Sequence, residues 1–441
     1  MSDALSIVDA ARECGDALAL LDQGRPYSFA QLARLALARA DTLLEGARGR
    51  PRFVPVVGTN SLDTLVTLYA LLELRVPALL LHPRLTEPET QAEIEATAAA
   101  SDRLPADAAV ILYTSGTTGR PKGAVLTRSA LLASARASAA NQGWQPDDRW
   151  MMIMPVARVG GLSIVTRCLA ARRTVVMEPR FDTTRLPGQL QRERVTLLSL
   201  VPTMLALVFR DHPSWVPPAS LRALQLGGSA APAALLERAA LRQVPILVTY
   251  GCTETCSQVA VTPYDLRFEA ARVGAGTALQ GAELKVVDGQ VRVRGPMLMH
   301  GYLGEDPLAP GDWFDTGDLG ELDAQGFLHL NGRRGDLIVT GGENVYPAEV
   351  ERVLQSLPGI EAAGVFGVPD DTWGATVAVA VVPGATMPDD RLLQQHMAAM
   401  LAKYKRPRQI CVVDALPYNA AGKLDRQALA AFTDRLRTLG H

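Results

Sequence analysis

A chain of 441 residues is longer than one hydrophobic core ordinarily organises, so at least two domains are expected. Its 44 basic and 46 acidic residues leave a formal charge of −2, which offers no polyelectrolyte footprint and argues against a nucleic-acid partner. Five scattered cysteines (Cys14, Cys168, Cys252, Cys256 and Cys411) are odd in number and make no disulfide framework, and Cys252 and Cys256 lack the spacing and histidine partners of a usual zinc site.

The opening MSDALSIVDAARECGD has no basic head followed by an apolar run, so no signal peptide and a cytoplasmic location are expected. Apolar β-branched runs then alternate with helical stretches: RFVPVVG, a helix near Thr64 to Leu74, and PALLLH. The apolar stretch from Leu65 to Leu81 contains Glu73, Arg75 and Pro77, which fits a buried helix followed by a strand, and no membrane insertion is expected. Ala109 to Leu112 reads as a strand entering a Gly-rich loop, and Thr127 is placed to cap an Ala-rich helix reaching Ala140. RTVVMEP and TLLSLVP continue the alternation of a layered α/β fold. Beyond about residue 330 the character changes: a helix begins near Pro347, EAAGVFGVPD and ATVAVAVVPG read as strands, and RLLQQHMAAMLAKY as a helix. The expected architecture is therefore a large N-terminal α/β domain of layered subdomains, residues 1–332, and a small α+β C-terminal domain, residues 333–441.

The densest local signal is the loop from Tyr113 to Gly123, with Thr114, Ser115, Gly116, Thr117, Thr118, Gly119 and Lys122. Four hydroxyls, glycines and a lysine after a strand make an anion cradle, because glycine lets backbone N–H groups approach phosphate oxygens. Gly119 is separated from Lys122 by Arg-Pro and Lys122 is followed by Gly123, so the spacing is not that of a P-loop NTPase.

TSGTTGRPKG, Tyr250-Gly251-Cys252-Thr253-Glu254, Phe314-Asp315-Thr316-Gly317-Asp318, Gly332-Arg333 with Asp336, Gly341-Gly342-Glu343-Asn344 and Asn419-Ala420-Ala421-Gly422-Lys423 occur in that order. The whole set resembles the adenylate-forming superfamily of acyl-CoA synthetases, nonribosomal adenylation domains and luciferases, over nearly the entire chain. The resemblance implies ATP, Mg2+ and coenzyme A as co-reactants, and a small-molecule carboxylic acid as substrate. It implies Lys423, Thr253 and Glu254 as catalytic residues, with Glu254 also the Mg2+ ligand. The phosphate loop, Gly228, Ser229, Tyr250, Gly251, Asp318 and Arg333 fall on the nucleotide side. The chemistry agrees: a carboxylate attacking an α-phosphate needs a cation for the charge that develops, which Lys423 supplies, and a hard oxygen ligand for Mg2+. Thr253 can donate to the α-phosphate, Asp318 can accept the ribose hydroxyls, Arg333 adds a ribose or phosphate contact, and Tyr250 offers a flat face to adenine. The resemblance also implies a mobile small domain that turns about residues 333–336 between two half-reactions, with Gly335 where relatives usually carry Asp or Lys.

The acid pocket is expected along Met154–Ser163, Leu226–Ala230 and the residues after Glu254, with Arg158, Gly161, Ser163, Gly227 and Ser257 against the substrate. Ala157 and Arg158 stand where many relatives have an aromatic residue and a histidine, which opens volume and adds a fixed cation able to pair with an anionic group. The runs Gly161–Val165 and Thr253–Gln258 resemble the o-succinylbenzoate:CoA ligase branch of menaquinone synthesis, whose substrate is an aromatic dicarboxylate. Other readings are a CoA ligase for a different acid, a stand-alone enzyme loading an aryl or other acid onto a carrier protein, and a non-catalytic nucleotide-binding protein. Gly341, Gly342 and the Trp373-Gly374 pair are candidate linings of a pantetheine tunnel, and a homodimer is the base-rate expectation.

Overall fold

The computed structural model describes residues 2–46, 50–114, 121–340, 343–370, 372–419 and 424–439. The chain divides into two compact units: residues 1–228, 239–284 and 293–314 form the first, and residues 229–238, 285–292 and 315–441 the second.

In the first unit six parallel strands lie side by side in the order Ile246–Cys252, Ala223–Leu226, Leu197–Leu200, Arg149–Met152, Thr174–Met177 and Leu18–Asp22, within a nine-stranded sheet whose remaining strands are antiparallel. Strands such as Thr174–Met177 and Ala223–Leu226 are buried at every position, so they read as continuous apolar runs instead of alternating ones. From Arg149–Met152 the chain steps to Thr174–Met177 on one side and then returns to Leu197–Leu200 on the other. A reversal of this kind opens a crevice at the carboxyl ends of the two strands between which it occurs.

A second sheet of the same unit runs Gly301–Tyr302, Lys122–Thr127, Ala108–Thr114, Ala78–Leu81 and Val54–Val57. Here Ala108–Thr114 and Lys122–Thr127 form a hairpin in which Thr114 lies opposite Lys122. The helix expected near Thr64 spans Leu62–Leu74; Ser61 caps it, and it is buried continuously from Thr64 to Leu72, as befits a helix apolar on all sides. Thr127 Oγ1 accepts from Ala130 N at 3.2 Å and caps Arg128–Gln142.

The second unit holds the helix Pro347–Gln355, the antiparallel pair Ile360–Asp370 and Gly374–Pro383, and the strand Gln409–Val412 parallel to the latter. Val350, Leu354, Val365, Val379, Leu393 and Met397 pack together in its core. The helical run expected to reach Tyr404 ends at Met400. Leu401 is extended, a single turn follows at Lys403–Lys405, and Arg406 is held extended by the proline after it. Most of a four-stranded sheet, Glu283–Val287, Gln290–Arg294, Phe314–Leu322 and Leu328–Arg333, also belongs here. Among the described residues no helix is long and apolar enough to cross a membrane.

Candidate active site

The pocket segments read from the sequence leave the carboxyl ends of neighbouring parallel strands. Ile153–Arg158 follows Arg149–Met152, Gly227 and Gly228 follow Ala223–Leu226, and Thr253 and Glu254 follow Ile246–Cys252. Gly227 and Gly228 are glycine for backbone reasons: a Cβ on Gly227 would lie 2.1 Å from Thr249 Oγ1, and Gly228 has φ +84°. Ser229 falls in the second unit.

Asn60 staples the segment that leads to Arg158. Its Nδ2 lies 3.3 Å from the Ile153 carbonyl, 3.2 Å from that of Met154 and 3.0 Å from that of Glu178, and its Oδ1 accepts from Val156 N at 3.0 Å. Arg158 then occupies the N-cap of the helix Val159–Ala171 without a side-chain capping bond. Gly161 admits no side chain, since a Cβ would sit 2.3 Å from the Pro155 carbonyl oxygen. Ser163 is buried and donates to the Gly160 carbonyl at 2.9 Å.

Arg158 Nε is buried without a hydrogen-bond partner. Glu93, buried on the helix Glu87–Ala100, acts on it electrostatically. Burial pushes the Glu93 carboxyl up to about 7, against the pull of Arg158. Burial, then the charges of Arg158 and Arg84, push His82 down to about 4, so its imidazole is neutral near pH 7. The guanidinium thus faces a neutral imidazole and a carboxyl that is only partly ionised at neutral pH.

The turn carrying Thr253 and Glu254 is tightly determined. Cys252 N donates to Thr255 Oγ1 at 2.9 Å, Thr255 Oγ1 lies 2.7 Å from the Ser257 carbonyl, and Thr255 is fully buried. A Cβ on Gly251 would lie 1.8 Å from the Ser257 carbonyl oxygen. The Glu254 carbonyl accepts from Met299 N at 2.7 Å, and its Oε1 accepts from the Tyr302 hydroxyl at 2.9 Å. Lys122 Nζ lies 4.8 Å from the centre of the Tyr302 ring and pairs with Glu305 at 2.8 Å. Burial first, then the Glu254 carboxylate, raise the Tyr302 phenol, which keeps it a donor. The structure therefore joins Lys122 to Glu254 through Tyr302. Tyr250 is buried and Ser257 has φ +97°.

In the second unit Asp318 and Arg333 stand opposite each other on adjacent strands, with Arg333 Nε 2.9 Å from Asp318 Oδ1. Asp315 pairs with Arg334 at 2.8 Å. Gly335 lies in the single turn Arg334–Asp336, and a Cβ there would meet nothing within 4 Å, so this conformation does not require glycine. Asp336 pairs with Arg426 at 2.9 Å, and Trp373, 42% exposed, lies under the Arg408 guanidinium at 4.7 Å. Ser115, Gly116, Thr117, Thr118, Gly119, Gly341, Gly342 and Lys423 lie outside the described residues.

Residues 88–303 match the AMP-binding enzyme family, and residues 349–423 match the AMP-binding enzyme C-terminal domain. A 2-succinylbenzoate–CoA ligase of Bacillus pumilus is 40% identical over 339 residues, covering 73% of this chain and 68% of the relative. This chain belongs to the AMP-binding enzyme family. The fold agrees: o-succinylbenzoate CoA synthetase from Bacillus subtilis in complex with the acyl-adenylate intermediate superposes with a TM-score of 0.87 at 31% identity, over 96% of this chain and 97% of that one. The structure of the same Bacillus enzyme with ATP and a magnesium ion gives a TM-score of 0.87 at 31% identity, over 96% and 98%. The present AMP-binding enzyme is accordingly an AMP-forming ligase with a large and a small α/β part.

Three residues of this AMP-binding enzyme's site carry no local sequence signal. Asn60 sits in an ordinary turn between a strand and a helix, Glu93 in a polar helix, and Tyr302 in a short Gly-Tyr strand. Each matters through a partner between 48 and 118 residues away in the chain or, for Glu93, through a charge on another element.

Proposed function

We propose that this enzyme activates o-succinylbenzoate with ATP and Mg2+ as an acyl-adenylate and transfers the acyl group to coenzyme A, releasing AMP, as a cytoplasmic step of menaquinone synthesis. The observation that carries the choice of acid is Arg158: a cation at the N-terminus of a thirteen-residue helix, its Nε buried and unpartnered, beside the crevice of the parallel sheet. Helix N-terminus and guanidinium both favour an anion there, and a dicarboxylate has one carboxylate left over after the other has been activated.

In the first half-reaction a carboxylate oxygen bonds to the α-phosphorus and pyrophosphate leaves. In the second, the thiol sulfur bonds to the acyl carbon and AMP leaves. Thr253 and Glu254 serve the nucleotide phosphates, Asp318 with Arg333 the ribose, and Lys423 the charge developing at phosphorus. Among the described residues no group of three or more histidine, cysteine or carboxylate side chains is placed to hold a metal ion. Glu254, a hard oxygen donor, would hold Mg2+, and the ion would supply charge neutralisation when bound. Gly335 is the proposed pivot between the two half-reactions.

The test is AMP release and thioester formation followed together over a panel of acids led by o-succinylbenzoate. Thioester with o-succinylbenzoate is expected. Thioester only with other acids overturns the choice of substrate, and adenylate without transfer to coenzyme A points to carrier-protein loading.

A further inference from the structure

Arg167 is 1% exposed, and among the described residues no carboxylate acts on its charge. Burial alone lowers its guanidinium to about 10, with only the thiols of Cys168 and Cys256 working the other way. Its guanidinium lies 5.7 Å from the centre of the Trp150 ring, its Nη2 donates to Ser134 Oγ at 3.3 Å, and its Nε has no hydrogen-bond partner. A cation held this deep without a counter-charge is a poor stabiliser, and an apolar side chain of similar volume would pack there without the desolvation cost. The guanidinium instead polarises Ser134, whose own hydroxyl donates to the Cys256 carbonyl at 2.8 Å.

That carbonyl belongs to a strained piece of backbone. Cys256 and Ser257 are consecutive non-glycine residues in the left-handed region, at φ +50° and +97°. Such residues persist where their surroundings over-determine them. On the amino side of the pair lie Thr253 and Glu254.

We propose that Arg167 is a positioning residue for adenylation: through Ser134 it fixes the Cys256 carbonyl, and with it the turn that presents Thr253 and Glu254 to the nucleotide. This rests on the reading of Glu254 as the carboxylate that serves Mg2+-bound ATP. Neither Arg167 nor Ser134 touches substrate in this account.

The experiment measures the Mg2+ dependence of acid-dependent pyrophosphate exchange for Ser134→Ala, Arg167→Met, Arg167→Lys and the Ser134→Ala/Arg167→Met pair. Thiolysis of preformed adenylate and thermal melting are measured beside it. Ser134→Ala and Arg167→Met are each expected to raise the Mg2+ concentration for half-maximal exchange by about three- to tenfold, with thiolysis unchanged. Arg167→Lys restores part of the shift, and the double variant shifts no further than the stronger single one, because both act through one hydrogen bond. A folded Ser134→Ala protein with the wild-type Mg2+ curve overturns the proposal, even if Arg167→Met unfolds. So do shifts that multiply in the double variant. Glu254→Gln is run in parallel: if it leaves the Mg2+ curve in place, the reading of Glu254 fails and the proposal falls with it, whereas a shift in Glu254→Gln without one in Ser134→Ala defeats the proposal alone.

Discussion

Arg158 and Arg167 stand at the start and in the interior of the same helix, Val159–Ala171, and each keeps an Nε without a hydrogen-bond partner. Their surroundings divide them. Arg167 is sealed between Trp150, Ser134 and two neutral thiols, and its one side-chain hydrogen bond reaches a backbone turn by way of a serine. Arg158 ends the loop that leaves the strand Arg149–Met152, and Glu93, its carboxyl raised to about 7 by burial, acts on its charge. Two guanidinium groups on one helix look alike in sequence; the elements packed around each tell them apart.

The largest effect expected from breaking this contrast is at Arg158. Arg158→Leu should raise KM for o-succinylbenzoate about 100-fold, the scale of losing a charge-assisted carboxylate pair, while KM for an aromatic monocarboxylate changes little. Steady-state AMP release with the two acids checks this, and equal losses with both would assign Arg158 a structural task. Next comes Asn60→Ala, which leaves carbonyls of Ile153, Met154 and Glu178 and the Val156 N–H without their partner. A loss on the order of 2–3 kcal/mol in denaturant unfolding is expected, with KM for the acid raised in the folded fraction.

Glu93 makes the behaviour of Arg158 depend on pH. Its folded value of about 7 lies above the ordinary 4.5, so between these values the folded protein holds a proton the unfolded chain has lost. The stability contributed by that proton is complete below pH 4.5 and is lost as pH rises through about 7. Above this value the ionised carboxylate competes for Arg158, so KM for the diacid should rise several-fold between about pH 6 and pH 8. Glu93→Gln should flatten both the stability slope and the KM profile; an unchanged KM profile would disconnect Glu93 from Arg158. The smallest expected effect is on the melting temperature of Arg167→Met. Removing a buried, unpaired cation should leave it within about 5 °C of wild type, even as the Mg2+ requirement rises. A large fall would make Arg167 chiefly a stabilising residue.

Much of this was legible along the chain. The helix Leu62–Leu74, the Thr127 cap, the hairpin strand before the phosphate loop and the strands of the small unit follow from short-range rules: apolar periodicity, capping hydroxyls and proline placement. The motif residues Asp318 and Arg333 were identified separately, and strand register sets them face to face. The helix ends at Met400, four residues before the expected Tyr404: Leu401, Ala402, Lys403 and Tyr404 suit a helix locally, while Pro407 holds the chain ahead extended.

An α/β enzyme, a Gly-rich loop before Lys122 and the residue types the chemistry needs can be read along the chain, because those signals lie within a few residues of one another. Folding alone brings Asn60 to the loop before Arg158, Tyr302 between Lys122 and Glu254, and Arg167 behind the Thr253–Ser257 turn. The physical reason is that hydrogen bonding, burial and Coulomb interaction act over a few ångströms in space, whatever the distance along the chain.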